Sequence, residues 1–318
     1  SFTQLKMQKP ALLRARVTKS TGAWYKLITD DGHLVEARLK GLMRLDGLRS
    51  TNPVAVGDFV QIKNEDGDWM ISSIEARQNY IIRKSPAKRA HSHILASNID
   101  QALILITASK PRTSSGFIDR FLLTAEAYHI PSILVFNKQD LLTEKDLLIQ
   151  NKFIDIYSGI GYPCMLVSSI TGEGVDKIKA VLKDKTSLFI GHSGVGKSTL
   201  ANAIDSKLAL KTGEVSVKHQ KGKHTTTFAE MFFLGFGGSI IDIPGIKEFG
   251  VTGFKNYEVN HYYREMAALL PKCKFNNCMH INEPKCAVRE ALDLGKISEE
   301  RYKNYLSIIE DILEAKEY

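Results

Sequence analysis

The sequence contains few cysteines and no long apolar run. Its 318 residues include four cysteines and two tryptophans, which excludes a disulfide-rich secreted scaffold. No apolar stretch approaches the roughly 20 residues that a membrane-spanning helix needs. The first residues also lack the basic, apolar and small-residue segments of a secretory signal. We therefore expect a folded cytoplasmic protein, and a chain of this length predicts two or three domains.

Positive charge exceeds negative charge. Lysine and arginine total 43 against 35 aspartates and glutamates, which gives a formal net charge of +8. The excess lies within residues 1–254. Such a surplus favours a polyanionic partner such as RNA, although charge alone does not identify one.

Short strand patterns separated by turns occupy residues 1–84. They lie at 11–17, 24–28, 33–39, 54–63 and 69–76. Five strands without a long helix, together with the basic surplus, predict a β-barrel of the OB type that binds RNA. A barrel of the SH3-like type with a protein partner is the alternative.

Fully apolar runs follow a polar, basic segment at 85–98, which its composition predicts to be a linker. Such runs lie at 101–107, 132–137, 164–169, 187–191 and 239–243. Amphipathic helical patterns separate most of them, so we assign residues 85–254 to an α/β domain with a parallel sheet covered on both faces. From about residue 255 the pattern becomes helical, and we assign 255–318 to a third domain.

A phosphate-binding pattern, G-x-x-x-x-G-K-[ST], follows one of the apolar runs. Its context is right because a helix-compatible segment comes after it. The glycines let backbone N–H groups converge on phosphate oxygens, and we expect Lys197 to reach the β- and γ-phosphates and Ser198 to bind Mg²⁺. A chance glycine-rich turn is the alternative. The residues assigned to nucleotide binding here are Gly191, His192, Ser193, Gly194, Val195, Gly196, Lys197, Ser198 and Thr199.

A second phosphate element, Asp242-Ile243-Pro244-Gly245, ends another apolar run. Its aspartate fits a Mg²⁺ ligand, and the N–H of Gly245 fits the γ-phosphate. The basic segment 207–228 predicts a loop that becomes ordered when a γ-phosphate is present, with Thr225 or Thr226 sensing Mg²⁺. The spacing does not choose between these threonines, and a plain exposed loop is the alternative.

The sequence Asn137-Lys138-Gln139-Asp140 reads N-K-x-D after the run at 132–136. The Asp140 carboxylate can accept hydrogen bonds from guanine N1–H and the exocyclic amine, a pair of donors that adenine does not offer there. We expect Lys138 to lie along the ring and Asn137 to tie this loop to the phosphate side.

Ser168 and Ser169 end the next apolar run, and we expect their backbone N–H groups to face guanine O6. The order of the motifs is unusual, because most GTPases place the phosphate loop before D-x-x-G and N-K-x-D. Here N-K-x-D at 137–140 comes first and Asp242 comes last. A fold whose ends lie close together can be reopened elsewhere, so the sequence predicts a circularly permuted GTPase.

Three cysteines and a histidine lie close together near the C-terminus. Cys273, Cys278, His280 and Cys286 supply the donors of a closed tetrahedral Zn²⁺ site. Four protein ligands leave no open position, which predicts a structural zinc. A disulfide would suit an oxidising compartment, which no other feature indicates. Cys164 lies in an apolar run and is expected to be a small buried residue.

These features resemble the RsgA family of bacterial GTPases over about residues 11–318. The resemblance rests on the motif order, on His-Thr-Thr-Thr at 224–227, on the sequence DIPGIKEFG at 242–250 and on the Cys/His spacing. It implies GTP hydrolysis stimulated by the small ribosomal subunit and a role in late maturation of that subunit. It also supports the OB barrel and contact with rRNA. We expect a monomer with one zinc, Mg²⁺ with GTP, and no membrane partner.

The group that positions the attacking water is not evident. Ras-like GTPases place a glutamine after the glycine of D-x-x-G, whereas this chain has Ile246. Many family members carry a histidine shortly after Glu-Phe-Gly, and residues 251–258 contain none. His219 and His224 are candidates, with exposed or RNA-facing histidines as the alternative.

Two other functional classes compete with a GTPase of ribosome assembly. A metabolic P-loop kinase would need a pocket for an acceptor substrate, and no segment indicates one. The second competing class is a non-catalytic RNA-binding scaffold that holds GTP permanently. The presence of Lys197, Ser198 and Asp242 argues against this class.

Overall fold

The structure is a computed structural model that describes residues 12–22, 24–39, 53–84, 92–210, 229–243 and 253–314. The chain divides into two compact units, Ser1–Asn98 with Phe228–Met231 and Ile99–Thr227 with Phe232–Tyr318. The three domains predicted from the sequence stay a prediction. No helix of the described residues is both long and apolar enough to span a membrane.

The first unit is built around a five-stranded barrel, as the sequence predicts. Its strands are β1 (Leu13–Ser20), β2 (Tyr25–Thr29), β3 (Leu34–Leu39), β4 (Phe59–Glu65) and β5 (Asp68–Ile74). They pair in the order β1-β2-β3-β5-β4, and β4 returns to β1. This order closes the five described strands into a barrel, as in an OB fold.

Alternate residues of these strands point into the barrel. Ala15 and Val17 of β1, Leu27 of β2, and Val60 and Ile62 of β4 are completely buried. This period of two explains why short, weakly apolar strands form a closed core.

A hairpin follows the barrel where the sequence predicts a linker. β6 (Tyr80–Lys84) pairs antiparallel with β7 (Ser92–Ser97). The linker prediction is therefore wrong for residues 92–97, while 85–91 lie outside the described residues. Polar composition is a weak guide here, because a backbone ladder and the buried side chains of Ile94 and Ala96 stabilise β7.

The second unit contains a parallel sheet. The strands after residue 99 are β8 (Gln101–Ile106), β9 (Ser132–Phe136), β10 (Cys164–Leu166), β11 (Thr186–Ile190), β12 (Glu230–Phe233) and β13 (Ser239–Asp242). Those of the parallel sheet lie in the order β10-β9-β8-β11-β13, and all neighbouring pairs in this series are parallel. β8 and β11 are buried along their whole length, because helices cover both faces of such a sheet.

The strand order reverses between β8 and β11. The chain runs outward from β8 through β9 to β10, then returns to form β11 on the other side of β8. Loops at the carboxyl ends of strands diverge at such a reversal and leave a crevice for a ligand. The predicted phosphate loop follows β11 directly and therefore lies at this crevice.

Seven α-helices occur in the described residues, and their starts follow local capping rules. The Ser114 side chain accepts from Phe117 N at the start of α1, and Thr143 forms a capping box with Asp146 at the start of α2. The helices are α1 (Ser115–Ala127), α2 (Glu144–Gly159), α3 (Val175–Leu182), α4 (Lys197–Ile204), α5 (Arg264–Leu269), α6 (Ala287–Asp293) and α7 (Glu299–Glu314).

The C-terminal helices share a core with α1. Tyr263, Met266, Tyr305 and Ile308 are buried together with Leu123 of α1. The region that contains the cysteines and His280 is thus packed on a helix of the parallel sheet.

Candidate functional site

The phosphate loop needs glycine where it passes neighbouring backbone and side chains. A Cβ on Gly191 would lie 2.8 Å from the carbonyl oxygen of Leu105. Gly196 has φ +97°, and a Cβ there would lie 2.4 Å from Nδ2 of Asn137. Glycine at these positions lets the loop lie against β8 and the N-K-x-D loop.

Lys197 begins α4 and folds back over the loop. Its Nζ donates to the carbonyl oxygens of Gly191 at 2.7 Å and His192 at 3.3 Å. Burial lowers the pKa of Lys197, while the nearby carboxylate of Asp242 opposes that shift. Lys197 and Asp242, which are predicted to bind phosphate and Mg²⁺, are therefore close to each other in the fold. Ser198 and Thr199, which follow Lys197, are half-buried.

The Asn137 side chain joins the two predicted nucleotide loops. Its Nδ2 donates to Val195 O in the phosphate loop at 2.9 Å. Its Oδ1 accepts from Ser169 N at 3.2 Å and from Ser169 Oγ at 2.8 Å. Asn137 is 1% exposed, and its bond to Val195 is buried. One buried amide thereby fixes the N-K-x-D loop, the serine loop and the phosphate loop together.

Ser168 and Ser169 form hydrogen bonds within the site through both their hydroxyls and their backbone N–H groups. The Ser168 hydroxyl donates to the Asp140 carboxylate at 2.5 Å and accepts from Thr171 N at 3.1 Å. The backbone N–H groups of both serines are already bonded, that of Ser168 to Glu173 O at 2.9 Å and that of Ser169 to Asn137 Oδ1 at 3.2 Å. Their contact with guanine O6 stays a prediction. The serines orient Asp140 and Asn137, a role that spacing along the chain did not reveal.

Lys138 contacts Lys110, a residue that lines a cavity. It adopts a left-handed backbone conformation, φ +66°, and its Nζ donates to Lys110 O at 2.9 Å. The adjacent cavity has a volume of about 620 Å³. Its lining residues are Ser109, Lys110, Arg112, Leu141, Thr143 and Asp146.

The start of α1 packs against the phosphate loop, which sequence reasoning missed. The Phe117 ring lies 4.0 Å from the His192 ring between centroids. Pro111 lies close enough that a Cβ on Gly194 would be 3.4 Å from its Cγ. Burial lowers the pKa of His192, and the charge of Lys197 adds to that shift. An aromatic residue in the first turn of α1 gives no signal of this contact in the sequence.

The four predicted metal ligands converge. One donor atom from each of Cys273, Cys278, His280 and Cys286 lies within 4.8 Å of the others. His280 Nδ1 is 3.3 Å from Cys286 Sγ and 3.7 Å from Cys273 Sγ. Burial raises the pKa of the Cys278 thiol to about 12, helped by the other two cysteines. Three soft sulfurs and one imidazole nitrogen fit a metal ion, whose charge would stabilise the thiolates.

Hydrogen bonds fix the backbone that presents these ligands. The Glu283 carboxylate accepts from Met279 N at 2.7 Å and Ile281 N at 2.8 Å. The hydroxyls of Tyr302 and Tyr305 donate to His280 O at 2.6 Å and Met279 O at 2.5 Å. The ligand loop is therefore clamped by α7. Cys164 lies apart from this cluster in β10, and burial raises its pKa to about 11.

Several predicted site residues lie outside the described residues. These are Thr225, Thr226, Gly245, Ile246, His219 and His224.

The fold and these loops define a class of protein. A parallel α/β sheet carries a phosphate loop at its switch point, joined through Asn137 to an N-K-x-D loop that precedes it in the chain. That combination is a circularly permuted P-loop GTPase.

Comparison with known proteins identifies the family. Residues 74–252 match the family described as RsgA GTPase, and residues 15–69 match the RsgA N-terminal domain. The small ribosomal subunit biogenesis GTPase RsgA of Bacteroides fragilis is 52% identical over 305 residues, which cover 96% of this chain and 98% of that protein. The protein of the same name from Flavobacterium psychrophilum is 50% identical, with 92% and 91% covered. The chain belongs to the RsgA GTPase family.

Two solved structures have the same fold. YjeQ from Thermotoga maritima matches with a TM-score of 0.77 and 32% identity, covering 95% of this chain and 99% of that one. YloQ, described as a circularly permuted GTPase, matches with a TM-score of 0.72 and 26% identity, covering 99% and 98%.

Proposed function

We propose that this protein hydrolyses GTP on the small ribosomal subunit and acts in late maturation of that subunit. The observation that carries the proposal is the buried Asn137 amide, which joins the loop suited to guanine to the loop suited to phosphates. Relatives that match nearly the whole chain carry the name small ribosomal subunit biogenesis GTPase.

At the phosphate end, the glycine-rich loop and the start of α4 bind the phosphates through backbone N–H groups. Lys197 leaves its carbonyl partners and pairs with the β- and γ-phosphate oxygens. Ser198 and Asp242 would hold Mg²⁺, Thr225 or Thr226 would sense that ion, and the N–H of Gly245 would meet the γ-phosphate. The ion would neutralise charge that develops on the phosphates.

At the base end, Asp140 accepts hydrogen bonds from guanine N1–H and the exocyclic amine. Ser168 orients this carboxylate, and Lys138 lies along the ring. Adenine leaves Asp140 without these donors, so the site selects GTP and GDP over the adenine nucleotides.

Hydrolysis without the ribosome is slow. The residue after Gly245 is Ile246, whose side chain can neither donate nor accept a hydrogen bond to water. The water is positioned by another group, either a histidine of the basic loop, His219 or His224, or a group of the ribosome.

The remaining parts serve attachment and architecture. The OB barrel contacts rRNA with its basic surface, and the cysteines with His280 hold one structural Zn²⁺. Residues 1–84, 85–254 and 255–318 form the barrel, GTPase and zinc-binding domains. The protein works as a monomer in the cytoplasm.

The test is nucleotide hydrolysis with GTP and with ATP, each with and without purified small ribosomal subunits. We expect the subunits to raise GTP turnover and to leave ATP turnover at background. The matched control is Lys197→Ala, which should remove the stimulated activity. Equal stimulation with ATP, or none with GTP, would refute the proposal.

A further inference from the structure

The N-K-x-D loop is held by a second amide that no motif includes. The variable residue of that motif, Gln139, forms a reciprocal pair with Gln150 of α2. Gln139 Nε2 donates to Gln150 Oε1 at 2.8 Å, and Gln150 Nε2 donates to Gln139 Oε1 at 3.0 Å. Gln139 Nε2 also donates to Phe136 O at 3.1 Å, at the end of β9.

Gln150 occupies a place that packing alone would give to an apolar side chain. The buried residues of α2 are Gln150, Phe153 and Tyr157, spaced as one helical face. Gln150 is 2% exposed. A buried amide is costly unless its hydrogen bonds are made. Here its bonding partner is the base loop, so the amide restrains that loop instead of only filling the core.

Gln139 lies between Lys138 and Asp140, which the proposed function places at the base. Lys138 has φ +66°, a conformation that is unfavourable for a lysine and persists only where its surroundings fix it. Asp140 is exposed, and its carboxylate is oriented on one side by the Ser168 hydroxyl at 2.5 Å. The amide pair fixes the backbone on the other side.

We propose that Gln150, through Gln139, is a positioning residue that sets the selectivity of the site for guanine. It does not touch the nucleotide. It keeps the backbone of residues 138–140 in the one arrangement in which Asp140 meets both guanine donors. This inference rests on the proposed binding of guanine nucleotides.

The test compares the dissociation constants of GDP and inosine diphosphate, which lacks the exocyclic amine but is otherwise the same ligand. For the wild type we expect GDP to bind roughly tenfold or more tightly, since one hydrogen bond to a carboxylate is lost with inosine. In Gln150→Leu, GDP should bind about tenfold more weakly and the ratio should fall towards one, because Asp140 is displaced.

Gln101→Leu is the matched control. Gln101 is also buried, and its Nε2 donates to Val181 O and Ser187 Oγ, both at 2.9 Å and away from the base loop. The Gln101→Leu variant should have a lower melting temperature and an unchanged ratio of the GDP and inosine diphosphate dissociation constants. Gln139→Leu alters the half-buried partner and gives a second reading if Gln150→Leu fails to fold. The double variant should match the single ones, because the pair acts as one unit.

The outcomes separate the two proposals. A wild type that binds GDP no better than ADP overturns the proposed function. A wild type that prefers GDP to ADP but not to inosine diphosphate overturns the positioning role, because Asp140 then makes no contact with the amine. A wild type that prefers GDP, with the same ratio in folded Gln150→Leu or Gln139→Leu, overturns the positioning role alone.

Discussion

Arg301 Nη1 donates to Asp119 Oδ1 at 2.6 Å, with both side chains almost completely buried. Arg301 also pairs with Glu265, and Asp119 accepts from Tyr157 OH at 2.8 Å and Asn304 Nδ2 at 2.7 Å. Burial alone would lower the pKa of Arg301, but the carboxylates of Asp119 and Glu265 raise it well above its ordinary value. This network fastens α7, which clamps the ligand loop, to α1, which packs on the phosphate loop.

Removing the carboxylate should destabilise the second unit. We expect Asp119→Ala to lower the free energy of unfolding by about 3 kcal/mol or more, because it leaves a buried guanidinium with one counter-ion fewer. Denaturant unfolding measures the change. The control is Asp311→Ala, which removes the exposed partner of Arg120 between the same two helices and should cost roughly 1 kcal/mol or less. Equal losses of unfolding free energy in the two variants would contradict the stabilising role of the buried Asp119 carboxylate.

A methyl group on Gly196 should disable the nucleotide site. In Gly196→Ala the Cβ would meet Asn137 Nδ2 at 2.4 Å, so the bond that joins the two loops is lost. We expect GDP binding to become undetectable in calorimetry. Gly67→Ala is the control, since Gly67 has the same φ of +97° with nothing within 4 Å. Gly67→Ala should lower the free energy of unfolding by about 1 kcal/mol and leave the affinity for GDP unchanged.

Changing the acid of the base loop should change the preferred base. Asn at position 140 offers an amide N–H that suits the C2 carbonyl of xanthine and not the amine of guanine. We expect Asp140→Asn to weaken GDP binding on the order of 10⁴-fold and to strengthen binding of xanthosine diphosphate. Titration with both nucleotides measures the switch. Unchanged GDP affinity would show that Asp140 does not contact the base.

Loss of one ligand should release the metal. Cys278→Ser should reduce zinc from one equivalent per chain to a small fraction and lower the melting temperature, because a structural zinc contributes directly to folding. Elemental analysis of protein purified without chelator measures the metal content. Cys164→Ser changes a cysteine outside the cluster and should retain the full equivalent. Wild-type protein without zinc would refute the site.

The local motifs made much of the site predictable. The phosphate loop, the N-K-x-D loop and the Cys/His cluster depend on residue types at short spacing. Five apolar runs predicted the parallel sheet because a strand buried on both faces must be apolar at every position. Weakly apolar segments carry less signal, and the polar composition of residues 85–98 predicts a linker where the structure has the strand Ser92–Ser97.

The order of the motifs, the donor atoms of the metal cluster and the class of fold can be derived from the sequence alone, since each follows from side-chain chemistry and periodicity over a few residues. The side chains that orient these motifs become evident only in the folded chain. Asn137 reaches Val195, Gln150 reaches Gln139, and Arg301 reaches Asp119. A buried polar group must find its partner wherever the packed elements bring one close, and separation along the chain does not record that proximity.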